Sequence, residues 1–172
     1  MRSRRDGRDA LRAAAAIAIL CWGAVARADD EPVPLTNDGL WLTVGPIGGG
    51  VRVEGDWFSV FGLEASVVYF RERGLPALIG GSFGGMSYAG RGGGRFWLEA
   101  EIAVNDPLPV AVGLGFGPAA EIGRSQPTHL GIQGTLWLFT GVIPYVRAGA
   151  IAQTGGFVEV GVMIKIPAIR AP

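Results

Sequence analysis

From Val158 to Ile166 every second residue is aliphatic: Val158, Val160, Val162, Ile164 and Ile166. Between them stand Glu159, Gly161, Met163 and Lys165, the only lysine of the chain. A period of two places successive side chains on opposite sides of an extended backbone, so this segment reads as a strand with two unlike faces. What the chain can be depends on whether the aliphatic face meets a protein interior or lipid.

The same alternation recurs upstream. Phe96, Leu98, Ala100, Ile102 and Val104 oppose Arg95, Trp97, Glu99, Glu101 and Ala103. Leu108, Val110, Val112, Leu114, Phe116 and Ile122 oppose Ala111, Gly113, Gly115, Gly117 and Glu121. Leu130, Ile132, Leu136 and Leu138 oppose His129, Gln133, Thr135 and Trp137, and Val146, Ala148, Ala150 and Ala152 oppose Tyr145, Arg147, Gly149 and Gln153. Trp57 to Phe70 follows the rule less cleanly, with Ser59 on the aliphatic side. Residues 40–53 and 77–88 are ambiguous, and Gly48-Gly49-Gly50 predicts a bulge that switches the register of the first strand. Seven clusters of Gly, Pro, Asn and Asp separate these segments, near residues 54–56, 71–76, 89–94, 105–107, 123–127, 140–141 and 154–156. Such residues serve tight reversals. Eight segments of roughly ten residues with short turns predict an all-β, eight-stranded antiparallel up-and-down meander closed into a transmembrane β-barrel over residues 39–169.

The N-terminus carries an export signal. Arg2, Arg4, Arg5, Arg8 and Arg12 precede an uncharged run from Ala13 to Val25, and Ala26-Arg27-Ala28 offers small residues where a signal peptidase reads. The run is shorter than the ~20 residues of a membrane-spanning helix. Residues 1–28 are therefore predicted to be a cleaved signal peptide and 29–38 a loose leader. Cys21, the only cysteine, leaves with the signal, so no disulfide or thiolate metal site is expected. What remains carries nine basic and thirteen acidic residues, which lacks the basic footprint of a nucleic-acid binder.

The polar face is a poor water-facing surface, because it is mostly glycine, alanine and isolated charges where a solvated sheet would carry many more. It suits the filled lumen of a narrow barrel, with the aliphatic face toward lipid. Glu64, Glu99, Glu101, Glu121 and Glu159 would then meet Arg95, Arg147 and Lys165 inside, since charges withdrawn from water persist only when paired. Glu99 and Glu101 share a face that could bind a cation, but Arg95 or Arg147 is their expected partner. Gly113, Gly115 and Gly117 would make room for the rings of Trp97, His129 and Trp137. Trp57 and Tyr69, at opposite ends of the second strand, fit an aromatic girdle. The opposite arrangement is a soluble secreted barrel that binds an apolar ligand, with Val158, Val160 and Val162 lining its cavity.

The last strand reads polar, any, Gly, any two, apolar, any, apolar: Glu159, Gly161, Ile164 and Ile166 occupy the defined positions. This resembles the assembly signal in the final strand of outer-membrane barrels, and the chain after residue 28 resembles the small eight-stranded outer-membrane barrels of Gram-negative bacteria. The resemblance implies an outer-membrane location, both termini in the periplasm, and outer-membrane lipids, the barrel-assembly machinery and signal peptidase as partners. It departs from the family in continuing past Ile166 to Pro172 and in having only short turns.

No catalytic constellation stands out, and an enzyme is not expected. His129 is the only histidine, with Ser125 and Glu121 near it in sequence. The glycine clusters lack the Lys-Ser/Thr pair of a phosphate loop. No cofactor or metal is implied. A structural or membrane-integrity role, or a narrow lumen, is the functional expectation.

Overall fold

The computed structural model describes residues 38–72, 75–105, 110–123 and 127–171. The predicted signal peptide and all of the leader but Asp38 lie outside them. The described residues form β1 (Gly39–Val53), β2 (Asp56–Phe70), β3 (Leu78–Tyr88), β4 (Gly94–Val104), β5 (Ala111–Ile122), β6 (His129–Phe139), β7 (Ile143–Ile151), β8 (Gly155–Met163) and β9 (Ile166–Ala171). Each strand pairs antiparallel with the next from β1 to β8, and β1 pairs with β8 and β9 to close the sheet on itself.

β8 and β9 are one wall of the barrel. Met163 faces Ile47 and Ile166 faces Val44, so the register with β1 is unbroken across Ile164 and Lys165. The Ile164 N–H donates to the Pro46 carbonyl at 3.0 Å. One residue further on the register shifts between Leu42 and Thr43, and Ala168 is the extra residue of a bulge. The stretch beyond the predicted assembly signal is thus part of the closing wall, paired to β1 as far as Ala171. Closure removes the exposed edges that an open sheet would present, and the barrel has eight walls.

The predicted bulge at Gly48-Gly49-Gly50 is absent. β1 pairs with β2 through fifteen consecutive residues without a register shift. Ile47, Val51 and Val53 point inward throughout, and Gly48 and Gly50 point outward. A Cβ at Gly50 would lie 3.4 Å from the Trp57 ring, and one at Gly48 would lie 3.8 Å from Phe61, both ordinary contacts. Gly49 is the one of the three that leaves no room for a side chain, because its Cβ would strike the Val160 carbonyl of β8.

Sidedness is the decisive property. Outward-facing Phe61, Phe116 and Leu130 are 68%, 62% and 69% exposed, far beyond scattered surface apolar residues. They belong to a belt that runs through Leu63, Phe83, Leu98, Ile132, Val146 and Val160 around the wall. Arg52, at the rim away from the termini, is the only charged residue at an outward strand position from β1 through β8. Soluble monomers rarely expose apolar patches above a few hundred Å². Val158, Val160 and Val162 are exposed, so they do not line a cavity, and the soluble barrel with aliphatic interior walls is excluded. The distribution is that of a membrane-spanning barrel, with lipid outside and polar groups within.

Candidate functional site: the lumen

Alternation brings Glu64 from β2, Arg95, Glu99 and Glu101 from β4, Glu121 from β5, Arg147 from β7 and Glu159 from β8 into the lumen, all buried. Lys165 joins them from the β8–β9 junction, with its side chain 12% exposed. The eight charged residues form three linked levels.

At the centre Arg147 is fully buried and acts as a hub. It donates to Glu64 at 3.0 Å, to Thr135 at 2.8 Å and to Glu159 at 3.5 Å, with Glu99 at 3.7 Å. Its guanidinium lies 4.1 Å from the Trp97 ring centroid, within cation–π range. Glu99 accepts from Gln133 at 2.7 Å and Thr135 at 2.8 Å, and Glu159 accepts from Tyr145 at 2.5 Å. Five guanidinium donors in a rigid fork are what allow one residue to serve several carboxylates.

Toward the rim away from the termini, Arg95 donates to Glu159 at 3.2 Å and to Tyr88 at 2.8 Å, and Tyr88 donates to Glu121 at 3.1 Å. The Arg95 guanidinium stacks 3.3 Å from the Phe157 ring centroid. Arg91, from the turn between β3 and β4, reaches Glu121 at 3.3 Å and closes this level. Nothing in the sequence marked Arg91 as a lumen residue, because it sits in a turn where alternation carries no information.

Toward the terminal rim, Lys165 lies 3.1 Å from Glu64, 3.0 Å from Glu101 and 2.8 Å from the Ser66 hydroxyl. Glu101 therefore pairs with Lys165, not with the expected arginines, and Glu99 pairs with Arg147. Lys165 reaches Glu101 from the opposite wall, so sequence proximity does not choose its partner.

The glycine stripe divides its duties differently from the expectation. A Cβ at Gly113 would strike the Trp137 ring, as expected. At Gly115 it would lie 2.5 Å from the Glu99 carboxylate, and at Gly117 it would meet the Leu98 backbone, so neither makes room for a ring. Trp97 lies instead against Gly84 of β3, where a Cβ would strike the indole. His129 is the cross-strand partner of Glu121 at the rim. Ser125 lies outside the described residues.

Of the assembly-signal positions, Glu159 and Gly161 face the lumen, and Ile164 and Ile166 face outward. A side chain at Gly161 would come within 2.7 Å of the Tyr145 hydroxyl and collide with the Gly48 carbonyl. Trp57 and Tyr69 project outward near opposite ends of β2, 59% and 41% exposed. Among the described residues no group of three His, Cys, Asp or Glu side chains could hold a metal ion.

Below Lys165 the lumen opens into a cavity of about 540 Å³ at the terminal end, walled mainly by apolar side chains from β1 to β7 and by Pro167 of β9. The filled levels lie above it.

No family model and no curated protein matches the chain. Among solved structures, it is similar to the crystal structure of Ail, the attachment invasion locus protein of Yersinia pestis, at 12% identity over 75% of this chain and 99% of that one, with a TM-score of 0.21.

Proposed function

We propose that this protein is an integral outer-membrane barrel whose sealed lumen makes it a structural, membrane-reinforcing element and not a diffusion pore. The observation that carries this reading is the pair of fully buried arginines, Arg95 and Arg147, tied to Glu64 and Glu159 across the lumen. Eight strands leave an interior that side chains can fill, and here they fill it through three levels of ion pairs and aromatic rings. A solute would have to break buried charge pairs to pass, at several kcal/mol for each exposed charge.

The aliphatic belt supports lipid as the surrounding solvent, and the predicted export signal supports the outer membrane over any inner one. With both termini in the periplasm, the turns after β1, β3, β5 and β7 would face outward. Biogenesis would then require signal peptidase and the barrel-assembly machinery. The test is ion current across planar bilayers containing the purified protein. The reading expects no unitary conductance steps above the bare bilayer. Reproducible steps that scale with salt would refute the sealed lumen.

A further inference from the structure

We propose that the outer wall holds a membrane lipid with a phosphoethanolamine head, in a groove that carries Arg52 and Glu54 at the rim away from the termini. The inference rests on the reading that lipid surrounds the barrel. Ala148 of β7, Val158 of β8 and Arg52 of β1 stand side by side on the outer face, and Gly156 leaves the next outward position of β8 bare. With Glu54 and Gly55 these residues line a groove of about 290 Å³.

Arg52 sits at the depth of lipid head groups. Its cross-strand partner is Trp57, and the aromatic girdles of membrane barrels lie at that depth. The guanidinium donates from Nε to the Gly55 carbonyl at 3.4 Å, and no carboxylate among the described residues pairs with it. Both terminal nitrogens are left for a phosphate, which a guanidinium grips with two parallel hydrogen bonds.

Glu54 supplies the opposite charge. It has φ 54° and Gly55 has φ 99°, a tight hairpin turn whose usual sequence is Asn-Gly or Asp-Gly. Glutamate adopts this conformation at a cost, and in return sets a longer carboxylate beside the groove. Its side chain is 62% exposed, and its tie to Arg91, at 3.8 Å, is the loosest ion pair among the described residues. Arg91 has Glu121 nearer, at 3.3 Å.

A cation and an anion on one groove select a head that carries both charges. A purely anionic head would meet Glu54, and a choline head brings an ammonium with no N–H to donate. Phosphoethanolamine gives its phosphate to Arg52 and its ammonium to Glu54 across a short ethylene link. Below the head, Gly50 and Gly48 face outward beside Val160 and Val162, so an acyl chain can lie close against the wall.

The test reconstitutes the protein into nanodiscs holding equal parts of dioleoyl phosphatidylethanolamine, phosphatidylglycerol and phosphatidylcholine. Native mass spectrometry reads which lipid stays on the ejected barrel. The proposal expects phosphatidylethanolamine to be retained at least about threefold over either of the others. Arg52→Gln and Glu54→Gln should each bring the three lipids to within about twofold of one another. Arg71→Gln, which removes an exposed guanidinium lying over Tyr69 at the opposite rim, should leave the preference unchanged. Faster migration of the unboiled protein on a gel checks that each variant is folded. Equal retention of the three lipids, preference for phosphatidylglycerol, or an unchanged preference in folded Arg52→Gln or Glu54→Gln would each overturn the proposal while leaving the barrel in the membrane. A chain that does not enter the nanodiscs would overturn the lipid-facing reading, and the proposal with it.

Discussion

Glu64 binds the Arg147 guanidinium at 3.0 Å and the Trp97 indole N–H at 3.2 Å through the same carboxylate oxygen, while Arg147 and Trp97 stack on each other. The three residues come from β2, β7 and β4, so this contact spans the barrel. It fixes the positions of walls that share no hydrogen bonds with one another, and it makes the lumen a brace.

Arg147→Met removes the one cation shared by Glu64, Glu99 and Glu159 and should cost about 3–5 kcal/mol, as loss of one member of a buried ion cluster does. Urea unfolding in lipid vesicles measures it. Arg147→Lys should recover less than half, because an ammonium cannot reproduce the fork that reaches three partners.

Gly84→Ala should destabilise by about 1–3 kcal/mol, the usual range for overpacking, since its Cβ would strike the Trp97 ring and lie 2.8 Å from the Leu63 carbonyl. Trp97→Phe in the same chain should return part of that loss. Gly50→Ala, whose Cβ makes an ordinary contact with Trp57, should be nearly silent in the same unfolding assay.

Leu98→Arg places a charge outward in the middle of β4. If lipid surrounds the barrel, folding into vesicles should weaken by about 2–4 kcal/mol. Arg52→Leu at the rim should change it by less than about 1 kcal/mol. A water-facing belt would give the reverse order, with Leu98→Arg neutral.

Gly161→Ala should slow or weaken refolding into pure lipid vesicles, where no assembly machinery is present, because the methyl meets Tyr145 at 2.7 Å. Tyr145→Ala should relieve it partly. Normal refolding in vesicles combined with failed assembly in cells would instead make Gly161 a recognition residue only.

The fold was legible because alternation is a property of single strands. Phe96 to Val104 and Val158 to Ile166 declare their two faces without reference to any neighbour. Register is not such a property. The glycine run of β1 reads as a bulge until its unbroken pairing with β2 is known. The Pro167 segment reads as a tail until its pairing with Thr43 is known. Membership of the lumen could be read for Glu99 and Glu101, and Arg147 was among the expected partners of Glu99, yet Lys165 as the partner of Glu101 could not be read, since it approaches from the far side of the barrel. Gly84 gave no signal as the seat of Trp97, because its strand mixes serine, glycine and methionine without a clear period.

The central claim is that the aliphatic face of this barrel meets lipid. The direct test is to express the full chain in a Gram-negative host, separate membranes from periplasm, wash the membranes with alkaline carbonate, and run the washed protein on a gel with and without boiling. The account predicts retention in the washed membranes and faster migration of the unboiled protein, as a folded barrel resists the detergent. Release into the periplasmic fraction as a soluble protein would contradict it.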